Sequence, residues 1–349
     1  MTTFHRPTMF RTYLGAKTSM LKDTSTVKAL SVGSILVLLF LSVQINIGCS
    51  TEPKPTPSSV ENSLVNTSSP ATEAEPPPLP DTAKKIQVFS FGSCAIQNKP
   101  QPIWTTILNH HPDIYLGLGD NVYASSPQDK PIAKAYERQL QFPEFKTFRK
   151  QIPMLGVYDD HDYGLNDGGK VNPEKDIAKA EYLKFFPYAK NFIPTNQEGI
   201  YHVVTFGKAP ERVKFVFLDT RWFRDELEPN PDKQSDIKYL PTKDTTKTFL
   251  GSQQWQWLEA QLKTPAELTV IISSIQFLQT QQGFEKWENF PHERQRMIQL
   301  LQKNKLKNVI ILSGDRHFGE IAQLKKTNLR LLEVTASSIN RASKLNHEK

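Results

Sequence analysis

The sequence predicts an α/β layered fold whose sheets mix parallel and antiparallel strands. From residue 85 onward, apolar runs of strand length alternate with runs of helix length, as in KIQVFSFGSC followed by PIWTTILNHHPD. Two runs, GIYHVVTFG and RVKFVFLDTR, follow each other without a helix between them, and EIAQLKK with LRLLEVTASS forms a final hairpin. Alternation alone favours parallel strands, so the adjacent strands and the hairpin make the predicted sheets mixed.

Each remaining element follows from its own apolar pattern and flanking residues. DIYLGLGDNVY and PMLGVYDDHDYG are short apolar runs that end in glycine and acidic residues, which predicts two buried strands. PEKDIAKAEYLKFF has the proline and acids of a helix start, SQQWQWLEAQLK is amphipathic, and HERQRMIQLLQK completes the predicted helices. ELTVIISSIQF and NVIILSGDRH are apolar, β-branched runs and predict two further strands.

The N-terminal part, residues 1–49, has the pattern of an export signal. About twenty mostly apolar, uncharged residues run from Ala29 to Gly48, with Lys22 and Lys28 before them. Gly48 directly before Cys49 resembles the lipobox of bacterial lipoproteins, in which the cysteine carries lipid, although Asn46 departs from the usual leucine. An uncleaved membrane helix remains the alternative, since the run is long enough to span a bilayer. Either interpretation places the rest of the chain outside the cytoplasm.

A tether and a single folded domain follow the signal. Residues 50–84 are rich in proline, serine and threonine, with eight prolines and no aromatic residue between Thr51 and Asp81, so they cannot bury enough surface to fold. Residues 85–349 form the predicted catalytic domain. The net charge of +7 is scattered among nearly as many acids, without a basic stripe, and this argues against nucleic acid as a partner.

Polar residues follow the ends of four predicted strands, where loops of an open α/β sheet converge and ligands bind. Several carboxylates gathered there would repel one another unless cations neutralise them. Oxygen ligands suit hard cations, whereas histidine, phenolate and thiolate together suit iron, so the mixture predicts two unlike metals. Interpretations without metal binding remain open. Cys94 could be a small buried apolar residue, Tyr123 a packed loop aromatic and SGDRH a surface turn. The clusters are Ser93-Cys94, Asp120-Asn121, Asp159 to Asp162, and Asp315 to His317.

Seven motifs resemble, in the same order, those of the PhoD-like (alkaline phosphatase D) family of metallophosphoesterases. They are FGSC, GLGDNVY, DDHD, FLDTR, SSIQF, KWENFPHER and LSGDRH, and the resemblance covers about residues 86 to 341. It implies a four-layer α/β/β/α sandwich that hydrolyses phosphomonoesters and phosphodiesters. Relatives continue for several strands after TASSINRAS, so we expect either a truncated second sheet or an incomplete sequence. We also expect Leu329 to Val334 to be unpaired and the chain to be poorly ordered after Ser337.

The resemblance also implies roles for individual residues. One ion, Fe3+, would be bound by Cys94, Asp120, Tyr123 and His317. A second, Ca2+, would be bound by Asp120, Asp160 and Asp315, with Asp120 bridging the two. We expect Asp315 and His317 to reach one cavity because residues i and i+2 of a strand share a face.

Three further residues are predicted to act on the substrate. His161 would face the phosphate and assist the leaving group, because imidazole can transfer protons near neutral pH. Asp162 would support His161, and Arg221 would clamp a phosphate unless it forms a structural ion pair with Asp219.

The predicted function is hydrolysis of phosphoric esters by a hydroxide that two metals activate, in an exported, lipid-anchored alkaline phosphatase or phosphodiesterase of the bacterial cell envelope. The substrate would be a small phosphate ester or a phospholipid. Phospholipase D-like activity, a noncatalytic metal-stabilised surface lipoprotein, and calcium held only for stability remain alternatives. The sequence leaves the oligomeric state open.

Overall fold

The computed structural model describes residues 75–126, 130–306, 308–326 and 328–343, together with the backbone of 30–32 and 35–37. Cys49, with its predicted lipid, and the predicted tether up to residue 74 lie outside the described residues. Within the described part of the chain, no helix combines the length and apolar character that a membrane span requires.

The first sheet has five strands in chain order, β1 to β5. β3, β4 and β5 run parallel, so their carboxyl ends meet at one edge. β1 pairs antiparallel with β2, which in turn runs parallel to β3. The strands are β1 Leu30–Val32, β2 Ile35–Val37, β3 Val88–Gly92, β4 Ile114–Leu118 and β5 Met154–Val157.

Helices pack against this sheet and fill the connections between its strands. The sequence analysis predicted α1 and α5 but did not identify α2, α3 or the single turn of α4. α3 begins with Pro143 at a first-turn position, where a missing backbone N–H has no cost. The helices are α1 Ile103–Leu108, α2 Ile132–Gln141, α3 Pro143–Arg149, α4 Asp160–Tyr163 and α5 Lys175–Phe185.

The second sheet has six strands in the order β12-β13-β11-β10-β7-β6. Its four central strands are parallel, and β6 and β12 pair antiparallel at the two edges, which confirms the predicted mixed sheet. The strands are β6 His202–Phe206, β7 Val213–Phe217, β10 Leu268–Ile272, β11 Val309–Ser313, β12 Gly319–Lys326 and β13 Leu329–Ala336. Further elements are the small hairpin β8 Glu228–Pro229 and β9 Tyr239–Leu240, the helices α6 Gly251–Gln261 and α7 Pro291–Lys303, and 3-10 turns at Ala189–Asn191 and Trp287–Asn289.

Alternate residues of the second sheet face two different cores, as the two-residue period of a strand requires. Phe215 and Phe217 point into the core shared with the first sheet, where the rings of Phe215 and Phe89 lie 5.4 Å apart. Val216 faces the opposite way and belongs to the core that contains Trp255 of α6. The order of layers is therefore helix, sheet, sheet, helix, which confirms the expected sandwich.

Two expectations for the C-terminal part of the domain, an unpaired strand at Leu329 to Val334 and poor order directly after Ser337, are wrong where the structure describes it. β13 pairs with β11 on one side and with β12 on the other, so its apolar residues have no free edge. Ser338 and Ile339 are also held in place, because their backbone N–H groups donate to the Ser93 carbonyl at 3.2 and 2.9 Å. The described chain therefore returns from the second sheet to the end of β3, and residues 344–349 lie outside the described part.

Candidate metal centre

The clusters predicted from the sequence meet where the parallel strands of both sheets end. Cys94 follows β3, Asp120 follows β4 and Asp160 begins α4 directly after β5, whereas His317 follows β11 of the second sheet. A bridge between Ser93 and Ser337 holds the two sheet ends together. The convergence expected at the carboxyl ends of strands is therefore present, and it involves both sheets rather than one.

A first group consists of Cys94, Asp120, Tyr123 and His317. Ligand atoms of Cys94, Asp120 and His317 lie within 4.8 Å of one another. The Cys94 Sγ is 3.4 Å from Asp120 Oδ2, and the Tyr123 hydroxyl is 3.2 Å from the same oxygen and 3.3 Å from His317 Nε2. The four side chains expected around one ion thus surround a common point.

A second group consists of Asp159, Asp160 and Asp315, whose carboxylate oxygens also lie within 4.8 Å of one another. Asp160 further shares a cluster with Asp120 and His161, so it connects the two groups. The sequence analysis did not select Asp159 as a ligand, although it stands in the DDHD motif. The structure places it beside the two predicted ligands Asp160 and Asp315.

Four of the candidate ligands have left-handed backbone, which non-glycine residues adopt at a cost of about 1 to 3 kcal/mol each. The φ angles are 61° at Cys94, 48° at Asp120, 64° at Asp315 and 60° at His317. This corrects the expected reason for the convergence of Asp315 and His317, because β11 ends at Ser313 and both residues lie in the loop beyond it. The convergence of Asp315 and His317 therefore depends on the conformation of this loop and not on a shared strand face.

Burial disfavours the ionised forms of the acidic side chains in this region. The pKa values of Asp120 and Asp315 are raised well above the usual range, mainly by burial and then by neighbouring anions, and burial raises the pKa of the Cys94 thiol to about 11. The buried oxygens Asp159 Oδ2 and Asp160 Oδ1 also have no hydrogen-bond partner in the described structure. A cation in this cluster would satisfy these oxygens and favour the ionised carboxylates and thiolate, so the donor set fits metal ions.

The imidazole of His161 lies at the edge of both groups. Its Nδ1 is 2.5 Å from Ser125 Oγ, and its ring centroid is 4.1 Å from that of Tyr123. Burial lowers the pKa of His161 against the opposing effect of Asp160, so the ring is neutral at neutral pH. Ser125 was missed at the sequence level because nothing in its local sequence shows that the loop after Tyr123 packs against α4.

Asp162 does not support His161 as predicted. Its Oδ1 accepts hydrogen bonds from the backbone and side-chain nitrogens of Asn121 at 2.8 and 3.0 Å and from the Tyr136 hydroxyl at 3.1 Å. Its Oδ2 accepts from the backbone N–H of Asp159 at 3.0 Å. The carboxylate therefore fixes the loop that carries Asp120 and the start of α4, while Ser125 contacts the imidazole.

Arg221 is not placed to clamp a phosphate, so the predicted role of this residue in substrate binding is wrong. Its side chain is fully buried, its Nε donates to Asp159 Oδ1 at 2.6 Å, and both terminal nitrogens donate to the Glu285 carboxylate at 2.8 Å. It does not pair with the side chain of Asp219, which instead accepts the backbone N–H groups of Arg221 and Trp222. Arg221 is the centre of a buried ion-pair network.

Other residues that the sequence analysis missed hold the ligands in place. Gln97 bonds both backbone polar groups of Tyr123, at 2.8 Å to the N–H and 2.7 Å to the carbonyl. Ser337 Oγ lies 3.1 Å from Cys94 Sγ and accepts the backbone N–H of His317 at 2.6 Å. No motif reveals these contacts, because each joins segments that are distant in sequence.

Comparison with known proteins identifies the family to which this chain belongs. The sequence model of the PhoD-like phosphatase family matches residues 89–349. Alkaline phosphatase D of Bacillus subtilis (strain 168) is 24% identical over an alignment of 292 residues, which covers 71% of this chain and 49% of that protein. A solved structure of PhoD, 22% identical, matches with a TM-score of 0.61 over 75% of this chain and 58% of its own. The chain thus spans about half the length of the curated relative. Because the family model matches most of the sequence, the chain belongs to the PhoD-like phosphatase family.

Proposed function

We propose that this chain is a metal-dependent phosphoric ester hydrolase that acts on phosphomonoesters or phosphodiesters outside the cytoplasm. The observation that supports the proposal is the convergence of Cys94, Asp120, Tyr123 and His317 beside the carboxylates of Asp160 and Asp315. A site of this composition, buried and rich in anions, has no evident structural purpose without bound cations.

Two ions would be held by residues of the two groups. Cys94, Tyr123 and His317 supply the sulfur, phenolate and imidazole donors that suit iron, and the family resemblance favours Fe3+ there. Asp160 and Asp315 supply oxygen donors, for which the resemblance favours Ca2+. Cations bound there would polarise the phosphate ester and lower the pKa of a water molecule.

The chain's own residues prepare the reaction. Asp120 belongs to the first group and shares a further cluster with Asp160, so it would offer one carboxylate oxygen to each ion. Neutral His161 is held through Nδ1 by Ser125, which leaves Nε2 for hydrogen bonding with the ester oxygen of the leaving group. Asp120 and Asp160 are buried, which strengthens their electrostatic effect on the phosphate.

The test combines elemental analysis of the purified protein with hydrolysis of p-nitrophenyl and bis-p-nitrophenyl phosphate. Asp120→Asn should lose bound metal and most activity, because it removes the shared ligand. His161→Ala should keep its metal and slow turnover by about 10² to 10⁴-fold, as expected for loss of a group that transfers a proton or stabilises charge at the leaving oxygen. The assignment of roles would fail if the His161 variant lost metal while the Asp120 variant kept it.

The same substrate panel separates the alternatives. Cleavage of a phospholipid in preference to both p-nitrophenyl esters would favour a phospholipase D-like activity. A protein that binds metal, melts at lower temperature after chelation and hydrolyses none of these esters would be a noncatalytic surface lipoprotein.

We further propose that the protein is exported and anchored to the cell envelope through lipid on Cys49. The support is the apolar run that precedes Gly48-Cys49 and the proline-rich segment that follows it. Cys49→Ala should accumulate as an unprocessed precursor. The fragment from Lys84 onward lacks β1 and β2 but keeps the pairing of β3, β4 and β5, and it should remain active and soluble. Recovery of the full-length protein in the aqueous phase of a detergent partition would contradict the anchor.

A further inference from the structure

A half-buried arginine lies over the candidate metal centre and was not selected from the sequence. The Cζ of Arg341 is 4.4 Å from the centroid of the Tyr123 ring. Among the ion pairs of the described residues none involves this guanidinium, which stacks on the ring of Tyr123. A guanidinium carries five N–H donors in its own plane, so stacking on a ring leaves the donors along its edge able to bind an anion.

The backbone on both sides of Arg341 is fixed to the site. The Asn340 side chain accepts the backbone N–H of Ile96 at 2.7 Å and donates to the carbonyl of the same residue at 2.9 Å. On the other side, the N–H of Ser343 donates to the His317 carbonyl at 2.9 Å. The guanidinium is thus carried by a short segment anchored next to both Cys94 and His317, which limits the entropy lost when it binds a ligand.

The ring on which Arg341 stacks lies between both histidines of the centre. The centroid of the Tyr123 ring is 4.1 Å from that of His161, and the Tyr123 hydroxyl is 3.3 Å from His317 Nε2. Arg221 has its donors committed to Asp159 and Glu285, so it cannot serve a substrate. Arg341 is accordingly the arginine whose position suits a phosphate lying against His161.

We propose that Arg341 binds the non-bridging oxygens of the substrate phosphate and favours dianionic monoesters over monoanionic diesters. This rests on the proposed hydrolase function. Guanidinium matches phosphate oxygens through two parallel hydrogen bonds, and the pairing strengthens with the charge on the anion. A monoester dianion offers more charge and one more free oxygen than a diester, so its binding depends more on this arginine.

The test compares Arg341→Gln with Arg296→Gln as a matched control. Arg296 also lies over an aromatic ring, with its Cζ 4.3 Å from the Trp255 ring centroid, but on the outer helices away from the metal centre. Loss of Arg341 should raise the inhibition constant of inorganic phosphate by about 10 to 100-fold, as expected for a charge-assisted hydrogen bond. It should lower kcat/KM for p-nitrophenyl phosphate to a similar extent and for bis-p-nitrophenyl phosphate by less.

Further variants and measurements make the result decisive. Arg341→Lys should recover part of the phosphate binding, because it restores the charge without the planar donor pair. Metal content and melting temperature should match the parent protein, and Arg296→Gln should leave phosphate inhibition unchanged. An unchanged inhibition constant for phosphate in Arg341→Gln, or an equal loss for both esters, would overturn the proposal.

The role of Arg341 in phosphate binding can be tested even if the protein does not hydrolyse phosphate esters. If the parent protein hydrolyses neither ester, calorimetric titration of the metal-loaded protein with inorganic phosphate still measures the contribution of Arg341 to anion binding. Phosphate binding that is equally strong in the parent and in Arg341→Gln would then refute the role of Arg341 itself.

Discussion

Replacement of Arg221 by methionine distinguishes a buried ion-pair network from a phosphate clamp. The guanidinium is 0% exposed and donates to Asp159 at 2.6 Å and to both oxygens of Glu285 at 2.8 Å. Methionine has a similar volume but none of these donors. The variant would leave Asp159 without its cation and Glu285 with Arg224 alone, at 3.0 Å.

The size of the effect follows from the cost of an uncompensated buried charge. Breaking such a pair by removing one partner destabilises a protein by about 3 to 5 kcal/mol. For a domain of this size, each kcal/mol lowers Tm by about 2 to 4 °C, so Arg221→Met should lower Tm by about 6 to 20 °C. Arg224 still pairs with Glu285 in the variant and limits the loss of stability there. We therefore expect a decrease in Tm in the lower half of this range.

Thermal unfolding followed by circular dichroism measures this change, and Arg212→Met provides the control. Arg212 also makes a two-point contact, at 3.0 and 2.7 Å to Glu267, but these side chains are 27% and 35% exposed. A pair open to solvent contributes little, so the control should lose less than about 2 °C. Equal losses in the two variants would contradict the argument from burial.

Kinetics complete the test, because a phosphate clamp predicts the opposite pattern. At a temperature where both proteins are folded, Arg221→Met should keep the inhibition constant of inorganic phosphate within about threefold of the parent value. An unchanged Tm together with a tenfold weaker phosphate inhibition would refute the structural role and restore Arg221 as a substrate-binding residue.

Three other predictions concern the surroundings of the site and the pH dependence of folding. Ser125→Ala removes the partner of His161 Nδ1 and should lower kcat by about tenfold, whereas elemental analysis should show unchanged metal. Asp162→Asn should lower Tm by several degrees in a thermal melt without moving the pH–rate profile, because its carboxylate accepts from Asn121 and Tyr136 and does not touch the imidazole. A shifted profile would instead restore its predicted support of His161. Burial lowers the pKa of His202 from 6.5 to about 4, so the unfolded state binds the proton first as pH falls. The folded state should therefore lose up to about 3 kcal/mol between pH 6.5 and 4, and denaturant titrations should show a smaller loss in His202→Leu.

The convergence of polar clusters at the candidate centre was predictable because the clusters follow the ends of strands, whereas the choice of individual ligands came from the resemblance to the PhoD-like family. Cys94, Asp120 and Asp160 stand directly after apolar runs, and the ends of parallel strands converge by the geometry of the sheet. Roles that depend on contacts between distant segments were not predictable in this way. Asp162 and Arg221 have the right chemistry for a catalytic site, but their neighbours commit them to hydrogen bonds and ion pairs elsewhere.

The C-terminal segment shows the same limit. The pattern of residues 329–336 correctly predicted a strand, yet nothing in it told whether that strand lies inside the sheet or at its edge. Pairing with β11 and β12 decided this, and the bonds of residues 338–340 to Ser93 and Ile96 placed Arg341 at the site.

By itself, then, the sequence determined the layered α/β fold, its mixed sheets and the convergence of a set of side chains that could bind metal. These depend on the local period of apolar residues and on the general geometry of sheets, both of which can be read along one chain. Only the tertiary structure decided that Arg221 is locked in a buried ion-pair network, that Ser125 holds His161 and that Arg341 faces the centre. The physical reason is that hydrogen bonding and charge pairing are short-ranged, so a side chain's role depends on which distant residues lie within about 3 Å of it.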